Sequence, residues 1–300
     1  ILPGLLFGKG HAYGHPASGS GYEASVARLT RDDMERFYKT WFKPNNATLV
    51  VAGDISLAAL TPKLERLFAG WRPGAVPEQQ VGRVVPPERP TLYLVDRPAA
   101  PQAVIFAGGV VPPRTDFKEY AVEVANAILG GAFTSRVNMN LREDKHWSYG
   151  SRTTFADARG PRTFFGVAPV QTDKAADAMR ELDREFRGIA GGKPPTEQEL
   201  KKAVTQFTLQ LAGRWETLGA VAGSLQQLVR FGWPDDYYQT YADAMRSLTP
   251  QAVAQAAARL VRPDSLTWLV VGDRTKIEEK VRQLGWGPIV VLDPDGNPLE

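Results

Sequence analysis

Cysteine is absent from these 300 residues. That excludes a disulfide scaffold, a thiolate nucleophile and every Cys-ligated zinc or iron–sulfur site. Histidine is scarce: His11, His15 and His146 leave little material for an all-His metal centre. No apolar run approaches the roughly 18–20 residues that a membrane-spanning helix needs. The charge is nearly balanced, 36 Lys/Arg interleaved among 33 Asp/Glu for a net +3, which argues against a nucleic-acid partner. The opening stretch, Ile1-Leu-Pro-Gly-Leu-Leu-Phe-Gly-Lys-Gly, has neither the basic n-region nor the small-residue cleavage site of a signal peptide, and no initiator Met. What is present is ordinary globular material, 43% hydrophobic and 23% charged, so disorder and collagen-like repeats are excluded. The length suits about two domains of roughly 100–200 residues each.

The chain repeats itself. Leu29-Thr30…Lys43-Pro44-Asn-Asn-Ala-Thr48-Leu-Val-Val51-Ala-Gly53-Asp54 matches Leu248-Thr249…Arg262-Pro263-Asp-Ser-Leu-Thr267-Trp-Leu-Val270-Val-Gly272-Asp273. Matched residues lie 219 positions apart without a gap (Leu29 and Leu248, Pro44 and Pro263, Gly53 and Gly272). Each copy opens with a Leu-Thr N-cap on a helix (Arg31–Trp41; Pro250–Val261), stopped by a basic residue and Pro. An apolar strand follows in each, then Gly-Asp leads into another helix. In the second copy that strand is Ser265–Val271 and that helix Lys276–Leu284. A unit of about 220 residues makes 91–300 a complete domain and 1–72 the C-terminal portion of a truncated homologous one. About 130 residues are then expected to precede Ile1. Between the two, 73–90 is rich in Pro (Pro73, Pro77, Pro86, Pro87, Pro90) and reads as an interdomain linker.

Within 91–300 the patterning predicts strands at Thr91–Val95 and Gln102–Gly108, separated by a turn, and helices at Asp116–Leu129 and Ser135–Asp144. An antiparallel pair follows at Tyr149–Ala156 and Arg162–Pro169, then a helix at Thr172–Ile189. Thr196-Glu-Gln-Glu199 is a capping box that opens a long helix to about Leu211, and Gly213–Phe231 supplies another, ended by Gly232. Hairpin-connected strands followed by runs of helices predict an α+β fold, a mostly antiparallel sheet with helices packed on one face.

Local chemistry is sparse. His11 and His15 have i, i+4 spacing, but the glycines around them oppose a helix and no carboxylate stands between them, so a structured loop is expected. Leu129-Gly-Gly-Ala-Phe-Thr-Ser135 follows a helix, not a strand, and lacks the Lys-Ser/Thr of a phosphate cradle; it reads as a helix-to-helix turn. Arg142 and Tyr149 flank Glu143-Asp-Lys-His-Trp-Ser148. A guanidinium can clamp a carboxylate or peptide carbonyl, and a phenol can donate to a developing oxyanion. Taken as residues alone, the pair reads first as an Arg on a solvated helix end and a strand Tyr anchoring a hairpin.

Leu129-Gly-Gly-Ala-Phe-Thr-Ser-Arg-Val137, Asn140-Leu-Arg-Glu143 and Trp147-Ser-Tyr149-Gly150 resemble the second-domain signature of the peptidase M16 family, which includes pitrilysin, insulin-degrading enzyme and mitochondrial processing peptidase. Gly10-His-Ala-Tyr-Gly-His-Pro16, Trp41-Phe-Lys-Pro-Asn-Asn-Ala-Thr-Leu-Val50 and Gly53-Asp54 resemble the latter part of the homologous other domain. The resemblance implies α+β domains of the mitochondrial-processing-peptidase type, enclosing a chamber for unfolded peptides. It implies zinc held by an inverted His-x-x-Glu-His motif whose Glu activates water. That motif occurs nowhere here, and His11 and His15 do not match ligand positions, so zinc is expected in the complete assembly and not on this chain. What the chain does match is the pair supplied from the half opposite the metal. By motif these are Arg142 and Tyr149, with the roles of holding the substrate backbone and stabilising the oxyanion.

The resulting expectation is the substrate-binding, non-zinc-ligating half of an M16-type metalloendopeptidase, inactive by itself. Its partners would be a peptide or unfolded polypeptide and a zinc-bearing M16 domain in cis or in a partner subunit, with no nucleic acid and no membrane span. The alternatives are a non-catalytic structural homologue and a stand-alone peptide-binding module. A bacterial periplasmic or envelope location is favoured over the cytoplasm.

Overall fold

The computed structural model describes residues 1–16, 18–114 and 119–299. In chain order the elements are α1 (Leu2–Phe7), α2 (Glu23–Val26), α3 (Arg31–Trp41), α4 (Leu57–Phe68), β1 (Thr91–Asp96), β2 (Gln102–Val111), α5 (Tyr120–Asn126) and α6 (Arg136–Asn138). There follow β3 (Arg152–Ala156), β4 (Arg162–Gln171), α7 (Ala175–Arg187), α8 (Glu197–Gly213), α9 (Leu218–Phe231), α10 (Tyr237–Arg246), α11 (Pro250–Leu260), β5 (Thr267–Gly272), α12 (Arg274–Arg282) and β6 (Ile289–Leu292). Packing divides the chain into two compact units, one of residues 1–17, 81–208 and 241–300, the other of residues 18–80 and 209–240.

The first unit is built on one six-stranded sheet in the order β3-β4-β2-β5-β1-β6. Three pairings are antiparallel (β3 with β4, β4 with β2, β2 with β5) and two parallel (β5 with β1, β1 with β6). Strand alternation explains the core. On β5, Trp268 and Val270 are fully buried, and Trp268 packs against Phe186 of α7, the rings tilted, on the helix-covered face. On the opposite face Val95, Leu269 and Leu292 pack with Leu2 and Leu5 of α1. The α+β architecture expected from the strand and helix runs is therefore present.

Several local expectations are corrected. β1 and β2 are not hairpin neighbours, because β5, reached only after some 150 residues of chain, inserts between them. α10, whose buried Tyr237, Tyr241 and Met245 recur at helical spacing, and the short edge strand β6 were not anticipated. The expected helix beginning at Asp116 starts outside the described residues; its described part, α5, passes at Ala127–Gly131 into a wider turn closed by Ala132 N–H to Ala127 O. β3 begins at Arg152, leaving Tyr149 in the turn before it.

In the second unit, α3 matches α11 of the first unit in length, and the Thr30 and Thr249 side chains cap them alike, accepting from Asp33 and Ala252 N–H. Short 3₁₀ turns, Pro44–Asn46 and Pro263–Ser265, follow at the same spacing. The copies diverge next: residues 267–272 form β5, whereas 48–53, expected as a strand, are extended without pairing to any strand among the described residues. Trp71 Nε1 donates to Phe42 O, and Asn45 and Gly74 exchange two hydrogen bonds.

Candidate functional site

Arg142 and Tyr149 sit at the two ends of one irregular segment of the first unit. α6 continues into a π-helical turn over Met139–Asp144, in which Lys145 N–H reaches back to Asn140 O at 3.0 Å. Single π turns of this kind recur at functional sites because they re-aim a side chain without ending the helix. His146 then takes a left-handed conformation (φ 57°), and its Nδ1 lies 3.2 Å from Arg142 O, which turns the chain back. Trp147 and Ser148 N–H both donate to Leu141 O, and Gln171 N–H donates to Trp147 O, tying the turn to the end of β4.

Three buried polar side chains fix the turn that carries Tyr149. Ser148 Oγ accepts from Gly150 N–H and lies 3.1 Å from Ser151 Oγ. Asn138 Nδ2 donates to Phe133 O at 2.6 Å, while its Oδ1 accepts from Ser151 N–H at 3.1 Å. Buried amides make such bonds because an unpaired polar group there is costly. Asn138 thereby joins the Gly-rich loop to the turn. Tyr149 itself is 89% exposed, and its hydroxyl meets no partner among the described residues.

Arg142 is half-buried. Its Cζ lies 4.5 Å from the centroid of the Phe133 ring, a cation–π contact. Glu143 is its ion partner, at 3.5 Å from Nε. The two predicted side chains do not touch each other; they are presented from a common base, with the exposed Phe133 ring beside Arg142. The Gly-rich segment therefore does more than connect two helices, since it places Phe133. Its glycines have a steric origin: a Cβ on Gly130 would lie 2.5 Å from Thr153 N and Oγ1 of β3.

Sequence reasoning missed Phe133 and Asn138. Two signals were available: an aromatic between glycines and Thr-Ser, where a turn asks for none, and an Asn inside a helix, which propensity disfavours.

The residues present do not fit zinc. Tyr13 N–H donates to His11 Nδ1 while His11 Nε2 pairs with Gly82 O, so both ring nitrogens are engaged, and His11 stacks on Phe7. His146 turns its Nδ1 to its own backbone. Among the described residues no group of three or more His, Cys, Asp or Glu side chains could hold a metal ion. No helix of the described residues is long and apolar enough to cross a membrane.

Residues 28–207 match the model of the peptidase M16 inactive domain. The chain belongs to the peptidase M16 family. An uncharacterised zinc protease of Mycobacterium tuberculosis is 30% identical over 193 residues, 62% of this chain and 42% of that protein. This M16 chain thus spans less than half the length of that relative. The crystal structure of a peptidase M16 inactive domain from Pseudomonas fluorescens matches with a TM-score of 0.81 at 19% identity, over 91% of this chain and 64% of that one. A chain of complex III2 from Candida albicans matches with a TM-score of 0.76 at 15% identity, over 95% and 69%. At such identities the two structures speak for the M16 fold alone.

Proposed function

We propose that this M16 chain is the substrate-binding, non-zinc-ligating half of a zinc endopeptidase acting on peptides or unfolded polypeptides. A zinc-bearing M16 domain, in the same polypeptide or in a partner subunit, carries the metal. Arg142 donates through guanidinium N–H groups to substrate backbone carbonyls, and Phe133 offers an apolar ledge beside it. Tyr149 O–H donates to the oxyanion that develops when the scissile carbonyl becomes tetrahedral. The zinc-protease relatives support the reaction class.

The observation that carries this reading is Tyr149: a phenol 89% exposed, its hydroxyl unpaired among the described residues, on a turn fixed from below by Asn138, Ser148 and Ser151. A Tyr that anchors a hairpin would lie within the strand and pack its ring on a neighbour. This one lies before the strand and has no aromatic partner among the described residues. A structural homologue without catalysis has no use for such a presentation.

The test is Tyr149→Phe in the complete assembly. It is expected to lower kcat about 10²-fold with KM little changed, the usual size for one oxyanion donor. An unchanged kcat removes Tyr149 from the mechanism. Binding of peptides without turnover by the assembly would leave the peptide-binding module as the better reading.

A further inference from the structure

The bend between Arg142 and Tyr149 is held in a conformation that most side chains avoid. Apart from glycines, only Ala99 (φ 60°) and His146 (φ 57°) are left-handed among the described residues. Helices commonly end on one left-handed residue, and glycine usually takes that place because a Cβ crowds the following carbonyl. Here an imidazole side chain stands there instead. The bonds at the end of the helix show what compensates. Lys145 N–H donates to Asn140 O, and Trp147 and Ser148 N–H both donate to Leu141 O. The next carbonyl, that of Arg142, is met by a side chain: His146 Nδ1 lies 3.2 Å from it. A carbonyl oxygen only accepts, so Nδ1 carries the hydrogen and donates. The bond takes up one of the carbonyls that a helix end leaves without an intrahelical partner.

Arg142 and Tyr149 are otherwise fixed on different supports. Arg142 belongs to the π turn that continues α6 over Met139–Asp144. Tyr149 sits beyond the bend, where Gln171 N–H holds Trp147 O, and Ser148 and Asn138 hold the amides of Gly150 and Ser151. His146 is the joint between these supports, and both bonds to Leu141 O close across it. Its imidazole bonds to the carbonyl of the very residue that carries the guanidinium.

We propose that His146 is a positioning residue for the peptidase reaction. By donating from Nδ1 to Arg142 O, its imidazole keeps the bend left-handed, and so fixes the distance and direction from the Arg142 guanidinium to the Tyr149 hydroxyl. Without that bond the bend exchanges with other backbone forms, in which the two groups no longer address one stretch of substrate backbone together. His146 acts through Arg142 and Tyr149 and not on the substrate. The proposal rests on the roles given above to those two residues, and adds what sets their spacing.

Three variants of the complete assembly separate the side-chain bond from the backbone conformation. His146→Asn tolerates the left-handed conformation and carries an amide N–H on Cγ, as Nδ1 does. His146→Gly keeps the conformation accessible but loses the donor, and His146→Ala loses both. With a quenched fluorescent casein as the unfolded substrate, His146→Asn should stay within about twofold of the parent kcat. His146→Gly should fall about three- to tenfold with KM little changed, the range by which one hydrogen bond shifts an equilibrium. His146→Ala should be lower still. Hydrogen exchange at the Trp147 and Ser148 amides should be as slow in His146→Asn as in the parent, and several-fold faster in His146→Gly. A need for the left-handed backbone alone would rank His146→Gly at or above His146→Asn, and that order would overturn the proposal. Equal kcat values throughout, or exchange at 147 and 148 that ignores the substitutions, would overturn it too. The Asn and Gly variants decide the matter even where His146→Ala fails to fold. Tyr149→Phe measured alongside tells two failures apart. An unchanged kcat there strikes the reading of the site, whereas an impaired Tyr149→Phe beside an unimpaired His146→Gly strikes this proposal alone.

Discussion

Arg136, the first residue of the helix that carries Arg142, offers a quantitative test of how the site is held. Its side chain is 7% exposed, and its Nε and Nη2 donate to the two oxygens of Glu199 at 2.7 and 2.8 Å. Further N–H groups donate to the carbonyls of Lys193 and Pro194. Glu199 also closes the capping box of α8, accepting from Thr196 N–H and O–H while its own N–H donates to Thr196 Oγ1. Burial by itself would raise the Glu199 carboxyl; the Arg136 and Thr196 bonds outweigh it and hold the group at about 2, down from its ordinary 4.5. A carboxyl lowered in the folded state adds stability that is fully present above the unfolded value and is lost as pH falls through the folded one. The window here runs from pH 4.5 down to about 2. At 1.36 kcal/mol per pH unit the full shift would be worth about 3 kcal/mol. Glu199 is 30% exposed, so solvent screening reduces this to about 1–2 kcal/mol. Glu199→Gln keeps the shape and removes the charge. Urea titrations followed by tryptophan fluorescence should find it about 1–2 kcal/mol less stable at pH 7. The gap to the parent protein should close between pH 4.5 and 2. A gap that does not change with pH, or a variant as stable as the parent at pH 7, would refute this account of the ion pair.

Other perturbations address the site directly. Gly130→Ala forces a methyl against the Thr153 backbone and should cost about 1–3 kcal/mol; an unshifted thermal midpoint would show that the loop can yield. Asn138→Ala removes two buried hydrogen bonds, a loss of about 1–3 kcal/mol, and should speed hydrogen exchange at the Ser151 amide, whereas unchanged protection there would remove Asn138 as the clamp. Phe133→Leu keeps an apolar ledge but loses the ring under Arg142, and about 0.5–1 kcal/mol of cation–π energy corresponds to a several-fold lower kcat/KM of the assembly; an equal kcat/KM would make Phe133 a bystander. The chain by itself should carry no stoichiometric zinc and cleave nothing, which metal analysis of a tag-free sample checks, one equivalent of zinc being the contrary result.

What could be read in advance is what the chain decides locally. The Thr196–Glu199 capping box is present bond for bond because its donors and acceptors lie within three residues of each other. Gly232 ends α9 in the left-handed conformation that glycine accepts most easily. The π turns beneath Arg142 and behind Gly130 were not legible, since an i, i+5 bond is selected by what the helix packs against and leaves no periodic trace. Tyr149 was misplaced for a related reason. Tyr149-Gly-Ser-Arg-Thr-Thr-Phe alternates well enough to read as strand throughout, yet Ser148 and Asn138 capture the Gly150 and Ser151 amides before any strand partner can.

The internal repeat shows where local reading stops. Thr48-Leu-Val-Val-Ala-Gly53 and Thr267-Trp-Leu-Val-Val-Gly272 are equivalent in pattern, in preceding helix, in N-cap and in the 3₁₀ turn between, so strand propensity cannot distinguish them. They differ in neighbours. Thr267–Gly272 has a strand on each side supplying ladder partners and a helical layer supplying apolar contact. Residues 48–53 have neither among the described residues. β-propensity measures fit to a pleated, half-buried surface more than an intrinsic backbone preference. The same six-residue pattern is thus a central strand in one place and an open, apolar edge in the other. Among the described residues the pairing partners, and not the residue pattern, decide which copy is a strand.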